Sequence, residues 1–548
     1  MKRLFFLLGS LLLTIATAAQ PIPAPDLVLL HGRVFTADPA NRWAEAIAIR
    51  GNRIVAVGTS TAIAALAGDT TRKIDLGGRL VIPGINDAHT HQMPAPEHFQ
   101  LSLNHDPGAE DIQLAAGSGS DESASSTWIF GEIGPNALFD KTISAAMLEK
   151  AAPGRKVMLE AFTGHGELFS AAALTSLHVR DDVRDPPGGW FERDASGRLT
   201  GKAFEYAAWN IQRRMNDDVP DDEAVEALRS FAKEALRYGI TSVQNMAWMT
   251  LSHYEKVVRH ADVPLRIRMI RFPGTVENGR DLREGRDLPT TNRERPLSIV
   301  SGTKWILDGT PVEDNAAISR PYHPNAENQG RLDFPPDEIS KMLSESLANS
   351  DQLLLHVVGD RTVQVVLSAM QAIPNVDWKS KRVRFEHGDG VFGERIARAR
   401  DLGVVVVQNP THFAELGRYP TAEYSPMKTL IRAGLHVAIG SDGPMNPYLN
   451  IMLAAAHPHP AESLTREEAV EAYTRESAYA EFAEGDKGII ASGKLADVAV
   501  LSQDIFRVPA AALPATVSVM TILDGKIVYD TGAISAAGAA PRTTRSPQ

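Results

Sequence analysis

Cysteine is absent from the 548-residue chain. Its absence excludes disulfide bonds, a lipid anchor on cysteine and thiolate metal ligands. Any metal site must therefore use histidine, carboxylates or a modified side chain. The sequence also lacks long basic runs and has a net charge of −11, so we expect no nucleic-acid partner and interpret the acidity as a source of solubility.

No segment has the roughly 20 apolar residues needed to span a bilayer. The apolar run at residues 4–15 follows Met1-Lys2-Arg3 and precedes Ala16-Thr17-Ala18. This order is typical of a cleaved signal peptide. We predict a signal peptide over residues 1–19 and a periplasmic or secreted mature protein that keeps no stable membrane anchor.

Short strand-like segments with turn residues between them occur near both ends of the chain. They lie at residues 27–35, 46–49, 53–57 and 73–76, and again at 496–501, 517–522 and 526–529. The pattern predicts one small β domain made from residues 20–79 and 488–530. The small, polar residues 531–548 are predicted to be a disordered tail.

Between these ends, short apolar strands alternate with helical segments. Eight strands are predicted, at residues 80–91, 240–243, 265–270, 303–307, 352–357, 382–387, 404–407 and 435–439. Such alternation predicts an α/β fold, a (β/α)8 barrel over residues 80–487, with an insertion at about 92–220 that includes a Gly/Ser-rich loop at 117–126. A doubly wound sheet is the alternative, disfavoured because no G-x-G-x-x-G turn follows a strand.

Polar side chains stand at the ends of several predicted strands. They are His89, His91, Lys304, His356, His387 and Asp442. Singly, each has an ordinary explanation: a buried or loop histidine, a snorkelling lysine or one paired with Asp308 or Glu313, and a turn aspartate. Jointly they would meet at the barrel mouth, where imidazole and carboxylate ligands suit a divalent metal, zinc first.

The chemistry of such a site needs a proton carrier. A divalent metal lowers the pKa of bound water to about 7 and polarises a carbonyl group. A nearby carboxylate must then move the proton to the leaving group, because histidines that bind metal cannot also act as bases. Asp442 is predicted to be this general acid/base.

Several longer motifs carry a family resemblance over residues 27–530. They are VIPGINDAHTH, TGHGELFSAAAL, PPGGWFERDASGRLTG, GITSV, TKWILDG, HVVGDRTV, RFEHGD, VVVVQNPTHF, GSDGP and GIIASGKLADVAVL. Together they resemble the amidohydrolase superfamily, in its YtcJ-like (amidohydrolase-3-type) branch. The resemblance implies a β-sandwich formed by both termini and one or two zinc-like ions held by His89, His91, His356 and His387.

The same resemblance implies that Lys304 is a carboxylated lysine bridging two metals, and that Asp442 is the general acid/base. It also implies that His165 reaches the substrate, although a structural histidine between glycines explains that residue equally well. The stretch after His91 and residues 166–170 depart from the family pattern. Because both lie near the expected pocket, the resemblance does not define the substrate.

We therefore expect an exported, metal-dependent amidohydrolase that cleaves an amide-type C–N bond in a small organic molecule. The same site acting on an ester, lactone or cyclic amide is the first alternative. A non-catalytic periplasmic binding protein on a decayed barrel is the second, disfavoured because the predicted ligands are all present. A homodimer is the oligomeric state that we consider beside a monomer.

Overall fold

A computed structural model describes residues 23–277, 279–288, 297–323 and 327–534. The predicted signal peptide and residues 535–548 of the predicted tail lie outside this range. Within the described residues, none of the helices has both the length and the apolar character needed to cross a membrane.

The central sheet is a barrel of eight parallel strands, which confirms the predicted fold. In chain order the strands are Ile85–Thr90, Ile240–Asn245, Arg266–Arg271, Ser298–Ile306, Leu353–Val357, Arg384–His387, Val405–Gln408 and His436–Ile439. Each pairs with the next in sequence, and the Asp442 backbone N–H donates to the His89 carbonyl at 3.0 Å where the last strand meets the first. The C-terminal ends of all eight strands therefore surround one mouth.

Helices cover the outside of the barrel. They are Asp221–Arg237, Leu251–Ala261, Pro336–Asn349, Asp360–Ala372, Trp378–Lys381, Glu394–Asp401, Met427–Arg432, Pro447–Ala455, Arg466–Glu471 and Ser477–Ala480. The first of them shows why they form: it begins with three acidic residues, ends near Arg237, and buries Leu228, Ala232 and Ala235 at helical spacing.

Both ends of the chain build a β-sandwich. One sheet contains Arg53–Gly58, Ala46–Arg50, Leu27–Leu30 and Arg72–Asp75. The other contains Lys526–Asp530, Ser518–Leu523, Val498–Leu501, Leu80–Pro83, Arg33–Phe35 and Trp43–Ala44. Side chains from both, including Leu29, Ile47, Val81, Val500 and Ile522, form one apolar core between the sheets.

The barrel begins later than predicted. Leu80–Pro83 pairs with Arg33–Phe35 and Val498–Leu501 and so belongs to the terminal sandwich. The chain crosses into the barrel at Gly84, where an added Cβ would lie 2.1 Å from the Thr241 hydroxyl oxygen. Only a residue without a side chain fits this close approach, so the strand is interrupted there.

The insertion after the first barrel strand contains its own mixed sheet. Its strands, in spatial order, are Gly189–Arg193, Leu199–Glu205, Gly166–Phe169, Val157–Ala161, Trp128–Ile133 and His98–Gln100. Its helices are Ala109–Glu122, Pro135–Phe139, Ala145–Ala151, Ala171–Ser176 and Tyr206–Asp217.

The predicted loop at 117–126 is wrong for most of its length, because helix Ala109–Glu122 covers it. Composition suggested a loop, but Ile112, Ala116 and Gly119 form one buried face of this helix. An added Cβ at Gly119 would lie 2.9 Å from Leu101. The glycine therefore permits close packing of the helix on the sheet.

Candidate metal centre

His89 and His91 lie two residues apart at the end of the first barrel strand, and their Nε2 atoms are 3.1 Å apart. The Nδ1 of His91 lies 2.7 Å from the Met246 carbonyl oxygen, which can only accept a hydrogen bond. His91 must therefore carry its proton on Nδ1, and its Nε2 presents a lone pair. The Nδ1 of His89 likewise lies 2.6 Å from Glu386 Oε2, an oxygen that accepts a hydrogen bond, so His89 also carries its proton on Nδ1. The Nε2 lone pairs of both histidines therefore point into the same region of the barrel mouth.

Asp442 completes this group from the end of the eighth barrel strand, which lies beside the first. Its Oδ1 lies 3.5 Å from His91 Nε2, and its Oδ2 lies 3.6 Å from His89 Nε2. One ligand atom from each of the three residues lies within 4.8 Å of the others. Asp442 has a left-handed φ of 38°, uncommon for a residue with a side chain and frequent at functional sites.

Lys304 lies beside the same group. It is buried, and its Nζ is 3.1 Å from His89 Nε2. The alternative pairing with Asp308 or Glu313 does not occur: Asp308 accepts from backbone amides and Thr362, and Glu313 accepts from Thr163 and Thr310. Burial lowers the pKa of Lys304 to about 8.

A second group shares Asp442. The Nε2 atoms of His387 and His412 both lie 3.8 Å from Asp442 Oδ2, and the three ligand atoms again lie within 4.8 Å of one another. The sequence reasoning missed His412, although it follows the seventh strand within the motif VVVVQNPTHF. Its position just beyond a strand end was the signal that could have identified it.

His356 lies behind the second group, with its ring centroid 4.4 Å from that of His387. His387 is buried, so the interpretation of this residue as an exposed loop histidine is wrong. In the described part of the chain, His356 Nε2 and His387 Nδ1 have no hydrogen-bond partner. Buried nitrogens without a partner are costly, and a bound metal would satisfy the Nε2 of His356.

The protonation states suit metal binding. Burial lowers the pKa of His89, His356 and His387, and it lowers the pKa of His91 to about 3. These imidazoles are therefore neutral near pH 7, which is the form that binds a metal ion. The donor set of imidazoles and one carboxylate fits a divalent metal.

A buried ion pair positions His89. Arg384 donates to Glu386 through Nε and NH2 at 2.8 and 3.0 Å, and also to the Ala88 carbonyl at 2.7 Å. Burial alone would raise the pKa of Glu386, but Arg384 and His89 together lower it. Glu386 is therefore ionised, and it fixes the ring orientation of His89.

His165 reaches the site from the insertion. Its ring centroid lies 4.9 Å from that of His356, and its Nδ1 lies 2.8 Å from Glu205 Oε2. Asn315 donates to the other Glu205 oxygen at 2.8 Å. Glu205, which the sequence reasoning also missed, has φ 52° and ψ −133°, a strained region that glycine adopts more readily.

A cleft of about 380 Å³ opens between the barrel mouth and the insertion. The barrel contributes His91, Lys304, His356, His387, His412 and Asp442. The insertion contributes Gln100, Phe130, Glu132, Met158, Glu160 and His165. The volume suits a small organic molecule, and its position places one beside the histidines.

The chain is similar to known proteins over most of its length. The model of the amidohydrolase family matches residues 72–529. The N-substituted formamide deformylase of Arthrobacter pascens is 25% identical over 538 residues, covering 92% of this chain and 98% of that protein. YtcJ of Bacillus subtilis (strain 168) is 25% identical over 492 residues, covering 84% of this chain and 91% of its own length.

Among solved structures, an uncharacterized metal-dependent hydrolase from Pyrococcus furiosus superposes with a TM-score of 0.66. The alignment covers 88% of this chain and 100% of that chain at 20% identity. At that identity, the similarity supports the barrel and sandwich architecture.

Replacing Glu386 with glutamine should weaken metal binding. Glutamine keeps the shape but lacks the charge that orients His89 and pairs with Arg384, so we expect affinity to fall by about 10–100-fold. Competition with a chromophoric chelator measures this. The exposed Glu394→Gln is the matched control, and equal affinities of both variants would show that His89 does not depend on Glu386.

Proposed function

The chain belongs to the amidohydrolase family, in its YtcJ-like branch, and from this premise we propose that it hydrolyses a non-peptide C–N bond of a small organic amide with a bound divalent metal. The observation that carries the proposal is the convergence of His89, His91 and Asp442 ligand atoms within 4.8 Å at the barrel mouth. His91 and Asp442 also line a cleft large enough for a small substrate.

The residues that would hold the metal lie around Asp442 and are His89, His91, His356 and His387. His412 is not among them, because its Nε2 lies 3.1 Å from the Asp442 carbonyl oxygen and must donate to it. Zinc is our first choice, because the donors are imidazoles and a carboxylate. A divalent ion there supplies a Lewis acid that makes water acidic and polarises a carbonyl. The number of ions that bind, one or two, depends on whether Lys304 is carboxylated.

We propose that Lys304 is carboxylated. As an ammonium group it would donate to His89 Nε2 at 3.1 Å and occupy the lone pair that a metal needs. Carboxylation removes this competing donor and provides an anionic oxygen ligand, which supports a site for two ions. Burial favours the neutral amine that the modification requires.

Asp442 is the proton carrier in this proposal. Its carboxylate lies in the cleft and faces both histidine groups, so it can take a proton from the attacking water. The same oxygen can then give the proton to the leaving nitrogen, as general acid/base catalysis requires. The histidines cannot do this while their lone pairs bind metal.

His165 is proposed to donate a hydrogen bond from Nε2 to the substrate carbonyl oxygen. Burial raises the pKa of Glu205 well above its usual value, which favours the protonated acid, and in this proposal the acid donates to His165 Nδ1. The imidazole proton must then be on Nε2. The strained backbone of Glu205 supports a functional role for this pair.

We also propose export to the periplasm or outside the cell, on the basis of the basic start, apolar run and small-residue cleavage pattern in residues 1–19. Immunodetection of the tagged full chain in cell fractions tests this. A cytoplasmic protein that keeps its first 19 residues would contradict it.

Metal removal is the main test of the function. We expect a chelator to abolish hydrolysis of a panel of N-formyl and N-acyl amides, and zinc to restore it. Metal analysis and intact mass of the same enzyme should show two ions and one added carbon dioxide, and Lys304→Ala should bind fewer ions. Turnover of esters or lactones but not of amides would favour the alternative that the same site cleaves C–O bonds. Bound metal without turnover of any substrate would favour a binding protein.

Asp442→Asn should retain an oxygen donor but lose proton transfer. We expect kcat to fall by about 10²–10⁴-fold, because the amide cannot accept the proton of the attacking water. Asp389→Asn removes another cleft carboxylate, one that accepts from Tyr419 and Ser425, and serves as the control. Full activity of metal-loaded Asp442→Asn would refute the assigned role.

The pair of His165 and Glu205 has a separate test. His165→Ala should lower kcat by about 10²–10³-fold with little change in KM, because it removes a donor to the developing oxyanion. Glu205→Gln should keep most activity, since its amide still donates to His165 Nδ1, whereas Glu205→Ala should not. A glutamine variant as defective as His165→Ala would show that an ionised Glu205 is needed instead.

A further inference from the structure

Three glutamates form a row across the insertion sheet. Glu132 pairs with Glu160 on the neighbouring parallel strand, and Glu160 pairs with Glu167 on the next, antiparallel strand. Residues paired directly across strands point to the same face of a sheet. The three carboxylates, which we call the glutamate row, therefore lie side by side.

The glutamate row runs from the cleft into the interior of the insertion. Glu132 is exposed and Glu160 is half-buried, and both line the cleft. Glu167 is fully buried behind Glu160 on the same face, and neither of its carboxylate oxygens has a hydrogen-bond partner among the described residues. The row is thus an acidic strip that begins at the cleft wall and ends at a buried carboxylate without a partner.

No lysine or arginine in the described residues forms a salt bridge with the row. A neutral group, the Gln212 amide, donates to Glu160 Oε1 at 2.9 Å. Burial and the neighbouring carboxylate raise the pKa of Glu167 well above its usual value. Burial and repulsion from Glu132 raise the pKa of Glu160 as well. Like charges directly opposite one another destabilise a sheet, and a bound cation would offset that repulsion.

The remaining chemistry of the cleft suits an organic cation. Phe130, Phe162 and Trp248 line it, and aromatic faces attract ammonium and guanidinium groups. A metal ion is a poorer fit, because the groups of described residues that could hold one do not include the glutamate row. A cation at Glu132 and Glu160 would pair their charges while its apolar stem contacts the rings.

We propose that the glutamate row binds a positively charged alkylammonium or guanidinium group of the substrate. This inference rests on the proposed function and narrows its substrate class to amides that carry a second, cationic end. The barrel wall of the cleft would hold the amide group beside Asp442, and the insertion wall would hold the cation.

A matched pair of substrates tests the proposal: an N-acyl diamine with one free ammonium group, and the neutral N-acyl alkylamine of equal length. We expect the wild type to prefer the cationic amide in kcat/KM. Glu160→Gln should reduce that preference by about ten- to hundredfold, mainly through KM of the cationic amide, because a charged hydrogen bond is lost. Glu110→Gln, exposed on helix Ala109–Glu122, is the control and should keep the wild-type preference.

A binding measurement separates this proposal from the proposed function. Butylammonium should quench or shift the fluorescence of the cleft tryptophans in the full chain, and Glu160→Gln should weaken that binding by a similar factor. Glu132→Gln, at an exposed position, repeats the test if Glu160→Gln does not fold.

Equal butylammonium binding by wild type and both variants would overturn the glutamate row as a cation site, even if amides are hydrolysed. Equal use of the two substrates by the wild type would also overturn it. Selective butylammonium binding without hydrolysis of either amide would support the row while refuting the hydrolase.

Discussion

The hydrogen bond from the Asp442 backbone N–H to the His89 carbonyl oxygen is the contact on which the site depends. It joins the eighth strand to the first at 3.0 Å. The side chain of Asp87 strengthens the same seam, because its Oδ1 accepts from the Ser441 N–H at 2.8 Å. A shift between these two strands would separate the carboxylate from both imidazoles of the first strand, so closing the barrel and assembling the ligands are one event.

Burial explains the electrostatics of the centre. Four imidazoles are driven to their neutral form by desolvation, while the pair of Arg384 and Glu386 keeps its charges because each partner neutralises the other. A buried ion pair of this kind adds little to stability and is better explained by the geometry that it imposes. Here it orients His89, whose Nε2 also lies 3.1 Å from Lys304 Nζ.

The parts of the fold that were predictable are those with a short-range physical signal. Apolar strands followed by polar residues identified all eight barrel strands, and the spacing of His89 and His91 placed both side chains on one face. His412 has a weaker form of this signal, because it follows the seventh strand only after the start of a 3₁₀ segment. Glu205 has no such signal, because its strained backbone is not encoded in sequence periodicity. The insertion sheet was missed because the glycines and serines in helix Ala109–Glu122 suggested a loop and because its last two strands are exchanged in order.

The terminal sandwich has a consequence for the order of events during synthesis. Leu80–Pro83 is hydrogen-bonded on one side to Arg33–Phe35 and on the other to Val498–Leu501. The second of these partners is therefore synthesised only near the end of translation. Pairing between such distant segments is slow. The nascent chain therefore leaves one edge of this apolar strand unpaired until translation is almost complete.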